Sequence, residues 1–378
     1  MRGVPIGRIA GIEIQVQLAW VLVLALIAAL ALSQLRQAAP GSSEPVRWLL
    51  AGLVAVGFFG SAVAHDLSHA LMARRRGIDV RTVVVSFFGG AAPDEPSAGR
   101  AADDLAIVTV GPAVSLGIGV GLVLLAVGSA AVSGPIGDAA GPLLGVLGVL
   151  NLLLGGVNLV PAYPLDGGRI VRDLAWLRSG DERTGWRAAA RIGRYTAFLL
   201  LAAGLVVVAT GDPANGAFVA LSGWFLFLSA RAIKERVRVD ELIGDLHVSD
   251  ALEIDVPSIG PGLTLDTFAD QLLGDESPTT VVPVMRDDEL LGVVGVAQVR
   301  RVRQAAWPTT HVEDVMLKPP RLVPLSPDDT LLSGFEKIRR ARADGLPVVG
   351  SDGFVGLLTL RSIGAIVRGR VGGPSTAA

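Results

Sequence analysis

Residues 61–77 read SAVAHDLSHALMARRRG, and the fold follows from how this stretch is read. His65 and His69 stand four apart at the end of a long apolar run. On a helix, residues i and i+4 share a face, so the two imidazoles can bind one metal ion. The spacing is that of the zinc helix H-E-x-x-H, with Asp66 where the motif has glutamate. The residue after the first histidine normally supplies the general base of a zinc hydrolase, which makes Asp66 the candidate base.

The whole chain is apolar enough for that helix to cross a membrane. Its 378 residues are 51% hydrophobic and 18% charged, with a mean hydropathy of +0.55. Such values point away from ordinary soluble proteins. Long apolar blocks run to about residue 235, and from about residue 245 charges recur as in a soluble α/β domain. The net charge of −2 makes no case for a nucleic-acid partner. With no cysteine in the chain, disulfides and thiolate metal sites are excluded, and any zinc must use His, Asp or Glu. The N-terminal MRGVPIGRIAGIEIQVQ is mixed, and the apolar run after it is long enough to span, so no cleavable signal peptide is expected.

A spanning helix needs roughly 20 mainly apolar residues. Six segments qualify: about Val16–Leu32, Leu49–Ala73, Leu105–Ser129, Leu143–Leu159, Ile192–Thr210 and Ala217–Ile233. Arg74, Arg75, Arg76, Arg81 and Arg100 follow the second, a series from Arg169 to Arg194 follows the fourth, and Arg231, Lys234, Arg236 and Arg238 close the sixth. The loops after the third and fifth carry no Lys or Arg. This bias places both termini, and the ends of spans two and four, in the cytoplasm.

Between spans two and three, Val80 to Phe88 is β-branched and aromatic and is broken by Gly89-Gly90. It reads as a strand or hairpin. Open strand edges cannot face lipid, so it belongs on the cytoplasmic rim or inside protein, where its edge can receive an extended peptide. A third metal ligand must come from elsewhere, and Asp166 in NLVPAYPLDGGRI (158–170) is the strongest candidate. It follows span four on the same side as the histidines. Ionisable groups at membrane depth are costly and point to function. Two histidines and one aspartate leave a fourth zinc position open, as catalytic zinc requires.

HDLSH in span two, the Gly-Gly strand, GPAVS (111–115) in span three and NLVPAYPLDGG after span four resemble, in order and spacing, the site-2 protease family of intramembrane zinc metalloproteases. The resemblance covers roughly residues 5 to 235. It implies one Zn2+ per chain held by His65, His69 and Asp166. It also implies that Asn158 sits near the metal and helps hold substrate, and that the Gly89-Gly90 strand receives an unwound substrate helix. Asp66 departs from the family's glutamate. It is one methylene shorter, so its carboxylate retreats by roughly 1.5 Å, and misplacement of about 1 Å can cost on the order of 100-fold in rate.

The tail repeats itself. HVSDA (247–251) recurs as HVEDV (311–315), and VPVMRDDELLGVV from Val282 recurs as LPVVGSDGFVGLL from Leu346, both 64 residues on. His247 and His311 are thus equivalent positions that start repeats, rather than metal ligands. Each repeat reads helix, strand, turn, strand, helix and resembles a CBS module, a type that pairs and often binds adenine nucleotides. The acidic residue that commonly holds ribose is absent, with Gln298 and Ser362 in its place. Packing or homodimerisation is therefore favoured over nucleotide binding.

The expected fold is a polytopic α-helical membrane protein of six transmembrane helices with a small membrane-associated β segment, followed by a C-terminal α/β tandem CBS-module domain. The membrane part spans residues 1–235, a linker 236–246, and the CBS pair 247–372, in modules of about 247–308 and 311–370. High Ala, Gly and Arg content fits a GC-rich bacterium, and hence a multi-pass protein of the bacterial plasma membrane with its CBS pair in the cytoplasm. The expected function is cleavage, near the cytoplasmic face, of transmembrane segments of proteins such as a membrane-bound anti-sigma factor, with membrane lipid as the surrounding partner. Two alternatives stand beside it. One is an attenuated pseudo-protease scaffold, suggested by Asp66. The other is a CBS-gated transporter or channel, which lacks the inverted repeat common in transporters.

Overall fold

The computed structural model describes residues 3–38, 40–85, 98–129, 131, 134–254, 256–274, 281–287, 289–319, 322–351 and 353–372. They form two compact units, Met1–Glu235 and Arg236–Ala378.

The first unit opens with strands β1 (Val4–Ile9) and β2 (Ile12–Val16), paired antiparallel through a turn at Ala10-Gly11. Both turn residues have positive φ, 51° and 77°, as hairpin turns require. Helix α1 (Ala19–Ala38) and helix α2 (Glu44–Arg75) follow, then strand β3 (Thr82–Val85), which pairs parallel to β2. The hairpin adds two strands to the N-terminal stretch, which the sequence showed only as mixed in character. The strand expected over Val80 to Phe88 is present as the shorter β3, and Gly89-Gly90 lie outside the described residues.

The sheet is bolted to α2, the helix that carries the histidines. Ile12 and Ile14, both buried, pack from β2 against α2, Ile12 beside Leu67 and Ala70 and Ile14 beside Phe58 and Ala62. Arg74 at the end of α2 donates to the Ala10 carbonyl at 2.7 Å. Trp20 of α1 donates its indole N–H to the Val85 carbonyl at 3.1 Å.

Helix α3 (Ala101–Ser129) and helix α4 (Pro135–Asn158) pack closely through small residues, as membrane helices do without a hydrophobic drive between them. A Cβ on Gly119 would lie 2.8 Å from the Leu152 backbone, and one on Gly148 3.0 Å from the Val123 backbone. The chain then turns into a short helix, α5 (Asp166–Ser179), followed by α6 (Glu182–Ala209) and α7 (Pro213–Ile243). Asp181 caps α6 by accepting from the Arg183 and Thr184 amides. Among the described residues, α1, α2, α3, α4, α6 and α7 are long and apolar enough to cross a membrane, and α5 is not among them. The chain is a multi-pass membrane protein.

The second unit holds α8 (Leu265–Gly274), the hairpin β4 (Val281–Arg286) and β5 (Glu289–Gly295), and the short helices α9 (Val296–Val299) and α10 (Val312–Val315). It continues with α11 (Leu331–Ala341), the hairpin β6 (Gly345–Gly350) and β7 (Gly353–Thr359), and α12 (Leu360–Gly372). The two hairpins lie 64 residues apart, from Val281 to Gly345. Their entry segments are exchanged. The Leu246 carbonyl accepts from Leu331 N at 2.8 Å, and Val248 N donates to the Asp329 carbonyl at 2.9 Å, so the first repeat's entry lies on the second. Conversely, Val312 N donates to the Leu263 carbonyl at 2.8 Å.

Candidate metal centre

His65 is buried on α2, and His69 follows one turn later on the same face. Asp166 is the first residue of α5, brought over by the 159–165 turn. The turn wraps so closely that a Cβ on Gly167 would lie 2.3 Å from the Val160 carbonyl oxygen, which only glycine allows.

Three ligand atoms converge. The two Nε2 atoms are 3.3 Å apart, and Asp166 Oδ2 lies 3.1 Å from that of His65 and 3.3 Å from that of His69. Tetrahedral zinc with bonds of 2.0–2.1 Å has ligand–ligand edges of about 3.3 Å. The triangle therefore has the size of one face of a zinc tetrahedron.

The donor chemistry also fits a cation. His69 Nδ1 lies 2.7 Å from the Ile107 carbonyl, which can only accept, so Nδ1 carries a proton and, in the neutral ring, Nε2 presents a lone pair. His65 Nδ1 lies 2.9 Å from the buried Ser115 hydroxyl. Both outward nitrogens are thus engaged, which orients the rings as metal-binding histidines require. With His65 donating from Nδ1 to Ser115, two ring lone pairs and a carboxylate oxygen face one another, and a metal cation satisfies all three.

Ile107, Gly111 and Ser115 come from one face of α3. A Cβ on Gly111 would lie 2.2 Å from His69 Nε2 and 2.9 Å from His65 Nε2. The missing side chain makes room for the ligand atoms. Ile107, Gly111 and Ser115 as supports of the rings were not legible as such. GPAVS marked two of them as motif, but a carbonyl contact leaves no side-chain signal.

The remaining expected site residues are placed as follows. Asp66 is half-buried on α2 beside His65 and is not one of the three converging ligands. Asn158, the last residue of α4, donates to the Leu154 carbonyl at 2.9 Å. Gly89 and Gly90 lie outside the described residues. In the second unit His247 and His311 open the turns of their repeats, with their amides bonded to Asp250 and Asp314 at 2.8 and 3.2 Å. Gln298 and Ser362 close helix starts, accepting from Gly295 N at 3.1 Å and Thr359 N at 3.2 Å.

Comparison with known proteins identifies the family. The profile of peptidase family M50 matches residues 53–203, and that of the CBS domain matches 312–366. A Mycobacterium tuberculosis protein provisionally named zinc metalloprotease Rip3 is 34% identical over 92% of this chain and 90% of its own length. A Synechocystis protein, provisionally named zinc metalloprotease sll0528, is 30% identical over 95% of this chain and 94% of its own. Among solved structures, the site-2 protease from Methanocaldococcus jannaschii is 28% identical, covering 61% of this chain and 94% of that one with a TM-score of 0.42.

Proposed function

The chain belongs to peptidase family M50, the site-2 protease family, and on that premise we propose that it is an intramembrane zinc endopeptidase acting on transmembrane segments of other membrane proteins. The observation that carries the reading is the triangle of His65 Nε2, His69 Nε2 and Asp166 Oδ2 at zinc-edge distances on helices that can cross a membrane. Zinc held there supplies a Lewis acid for the scissile carbonyl and for water.

The chain's own residues do the rest. Ser115 and the Ile107 carbonyl hold the two rings in place. Asp66 Oδ takes the proton from the attacking water and passes it to the leaving amine nitrogen, with its shorter side chain limiting the reach that general-base catalysis needs. The β3 side of the sheet, with Gly89-Gly90 next in sequence, takes the unwound substrate as an added strand. Asn158, at the end of α4, holds the substrate backbone once its own helix bond is released. The Arg-rich ends of spans two and four put the cut near the cytoplasmic face of a bacterial plasma membrane, where the lipid bilayer surrounds both enzyme and substrate. A membrane-bound anti-sigma factor is a substrate of this kind. The CBS pair serves as a packing or homodimerising unit, and adenine nucleotide is its candidate ligand despite the missing ribose anchor.

The test is cleavage of a model transmembrane substrate in proteoliposomes, with zinc chelated and then restored. The proposal expects products that vanish on chelation, return with zinc, and are absent from His65→Ala. A wild-type protein that binds zinc and substrate without cutting would instead support the pseudo-protease reading that Asp66 suggests.

A further inference from the structure

A group of charges is buried between α5, which carries Asp166, and α3, which supports the histidine rings. Arg172 lies on α5, six residues beyond Asp166. Its side chain is 7% exposed, and those of its partners Asp104 and Asp173 are 4% and 0% exposed. Arg172 Nη2 donates to Asp104 Oδ2 at 3.2 Å and Nε donates to Asp173 Oδ1 at 2.6 Å. The guanidinium sits 4.9 Å from the Trp186 ring centre, and Trp186 stacks on Tyr163 at 5.4 Å. Burial pushes the Asp173 carboxyl above its ordinary range while Arg172 pulls it back. A buried ion pair is weak evidence of a stability role, and in some proteins such pairs specify one arrangement of helices.

The arrangement they specify is that of the ligands. Asp104 precedes Ile107 by three residues, Gly111 by seven and Ser115 by eleven, so all four share one face of α3. From that face α3 holds His69 through Ile107 and His65 through Ser115, and it grips α5 through Asp104 and Arg172. We infer that Arg172 is a positioning residue for Asp166: bonded to Asp104, it sets the register of α5 against the helix that orients both histidines. The planar guanidinium reaches two carboxylates at once and lies over an indole. A lysine ammonium is a single point charge on a flexible stem and cannot reproduce that fork. The inference rests on the reading of His65, His69 and Asp166 as zinc ligands.

The experiment uses the full-length protein in detergent. Zinc affinity is measured by competition with a chelator, and the site is reported by the visible spectrum of the cobalt-substituted protein. The variants are Arg172→Lys and Asp104→Asn. The second keeps the side-chain shape and an acceptor for the Ala98 amide, which donates to Asp104 Oδ1 at 2.8 Å, so it gives an independent variant that leaves Arg172 itself in place. Gly216→Ala is the control. Its Cβ would lie 2.5 Å from the Val208 backbone in the α6–α7 hairpin, so it strains the fold far along the chain from the ligands.

Removing direct outer partners of ligands typically costs 10–100-fold in metal affinity, and a shift of the helix that carries a ligand acts on the same ligand geometry. Asp104→Asn and Arg172→Lys are expected to fall in that range, with an altered cobalt spectrum. Gly216→Ala is expected to melt earlier and bind zinc as the wild type does. Unchanged affinity and spectrum in Asp104→Asn, or an equal loss in Gly216→Ala, overturns the inference. A wild-type protein that binds no zinc overturns the zinc reading itself, whereas normal zinc binding in wild type and variants alike removes this inference alone.

Discussion

Replacing Gly111 with alanine tests the centre from the side of α3. The new methyl group would lie 2.2 Å from His69 Nε2, 2.5 Å from His69 Cε1 and 2.9 Å from His65 Nε2. Non-bonded heavy atoms settle at about 3.5 Å, so the His69 ring must retreat by about 1.3 Å. It cannot do so freely, because Nδ1 is held at 2.7 Å by the Ile107 carbonyl on the same helix as the new methyl. Metal–ligand distances tolerate about 0.2 Å. One ligand is therefore lost or the whole site distorts, and zinc affinity should fall on the order of 100-fold or more, at or beyond the upper end of outer-partner effects. The helix itself is not the casualty, since alanine favours helix over glycine by about 1 kcal/mol. The assay is chelator competition on the purified protein beside Gly117→Ala, an α3 substitution whose methyl meets nothing within 4 Å. Wild-type affinity in Gly111→Ala would refute the reasoning, because it would mean the rings do not stand where α3 is said to hold them.

Ser115→Ala removes the partner of His65 Nδ1 and should weaken zinc binding 10–100-fold, read by the same competition. Asp66→Ala should abolish cleavage of a membrane reporter while zinc content stays constant. Asp66→Glu should raise turnover by up to about 100-fold, if the shorter carboxylate costs what a misplacement of about 1 Å implies. In the second unit, the hydrogen bond from Lys337 at 2.7 Å holds the Asp329 carboxyl below its ordinary range. A depressed carboxyl contributes stability that is full above its unfolded value, about 3.9, and is lost as the pH falls through the lower folded one. Asp329→Asn should thus cost about 0.5 kcal/mol at pH 7, and thermal melts should show the gap to wild type closing in acid.

Much of this architecture was legible because membrane physics writes it in long apolar blocks. Each of the six expected spans overlaps a helix that can cross a membrane, although Val16 belongs to β2, and Leu159 and Thr210 lie just past the ends of α4 and α6. The tail's repeat likewise announced two hairpins at the same offset. The N-terminal hairpin was missed because its turn is Ala10-Gly11 rather than Asn-Gly or Asp-Gly, and because its strands run into the apolar start of α1. Helix α5 was missed because Pro161, Pro164 and Gly167-Gly168 read as a break, while helix begins at Asp166 itself. The exchange of entry segments between repeats depends on long-range backbone pairing, which a local pattern cannot display. At the metal centre, spacing and chemistry pointed to His65, His69 and Asp166, and the structure brings them together. The supports were hidden for a different reason: a backbone carbonyl, an absent side chain and a buried ion pair each act through position rather than residue type.

The central claim is that His65, His69 and Asp166 form one zinc site. The direct measurement is zinc per chain, by elemental analysis of the detergent-purified protein, beside His65→Ala and Asp166→Ala. The account predicts about one zinc in the wild type and its loss in both variants. Zinc retained in either variant, or none in a wild-type protein incubated with the metal, would contradict it.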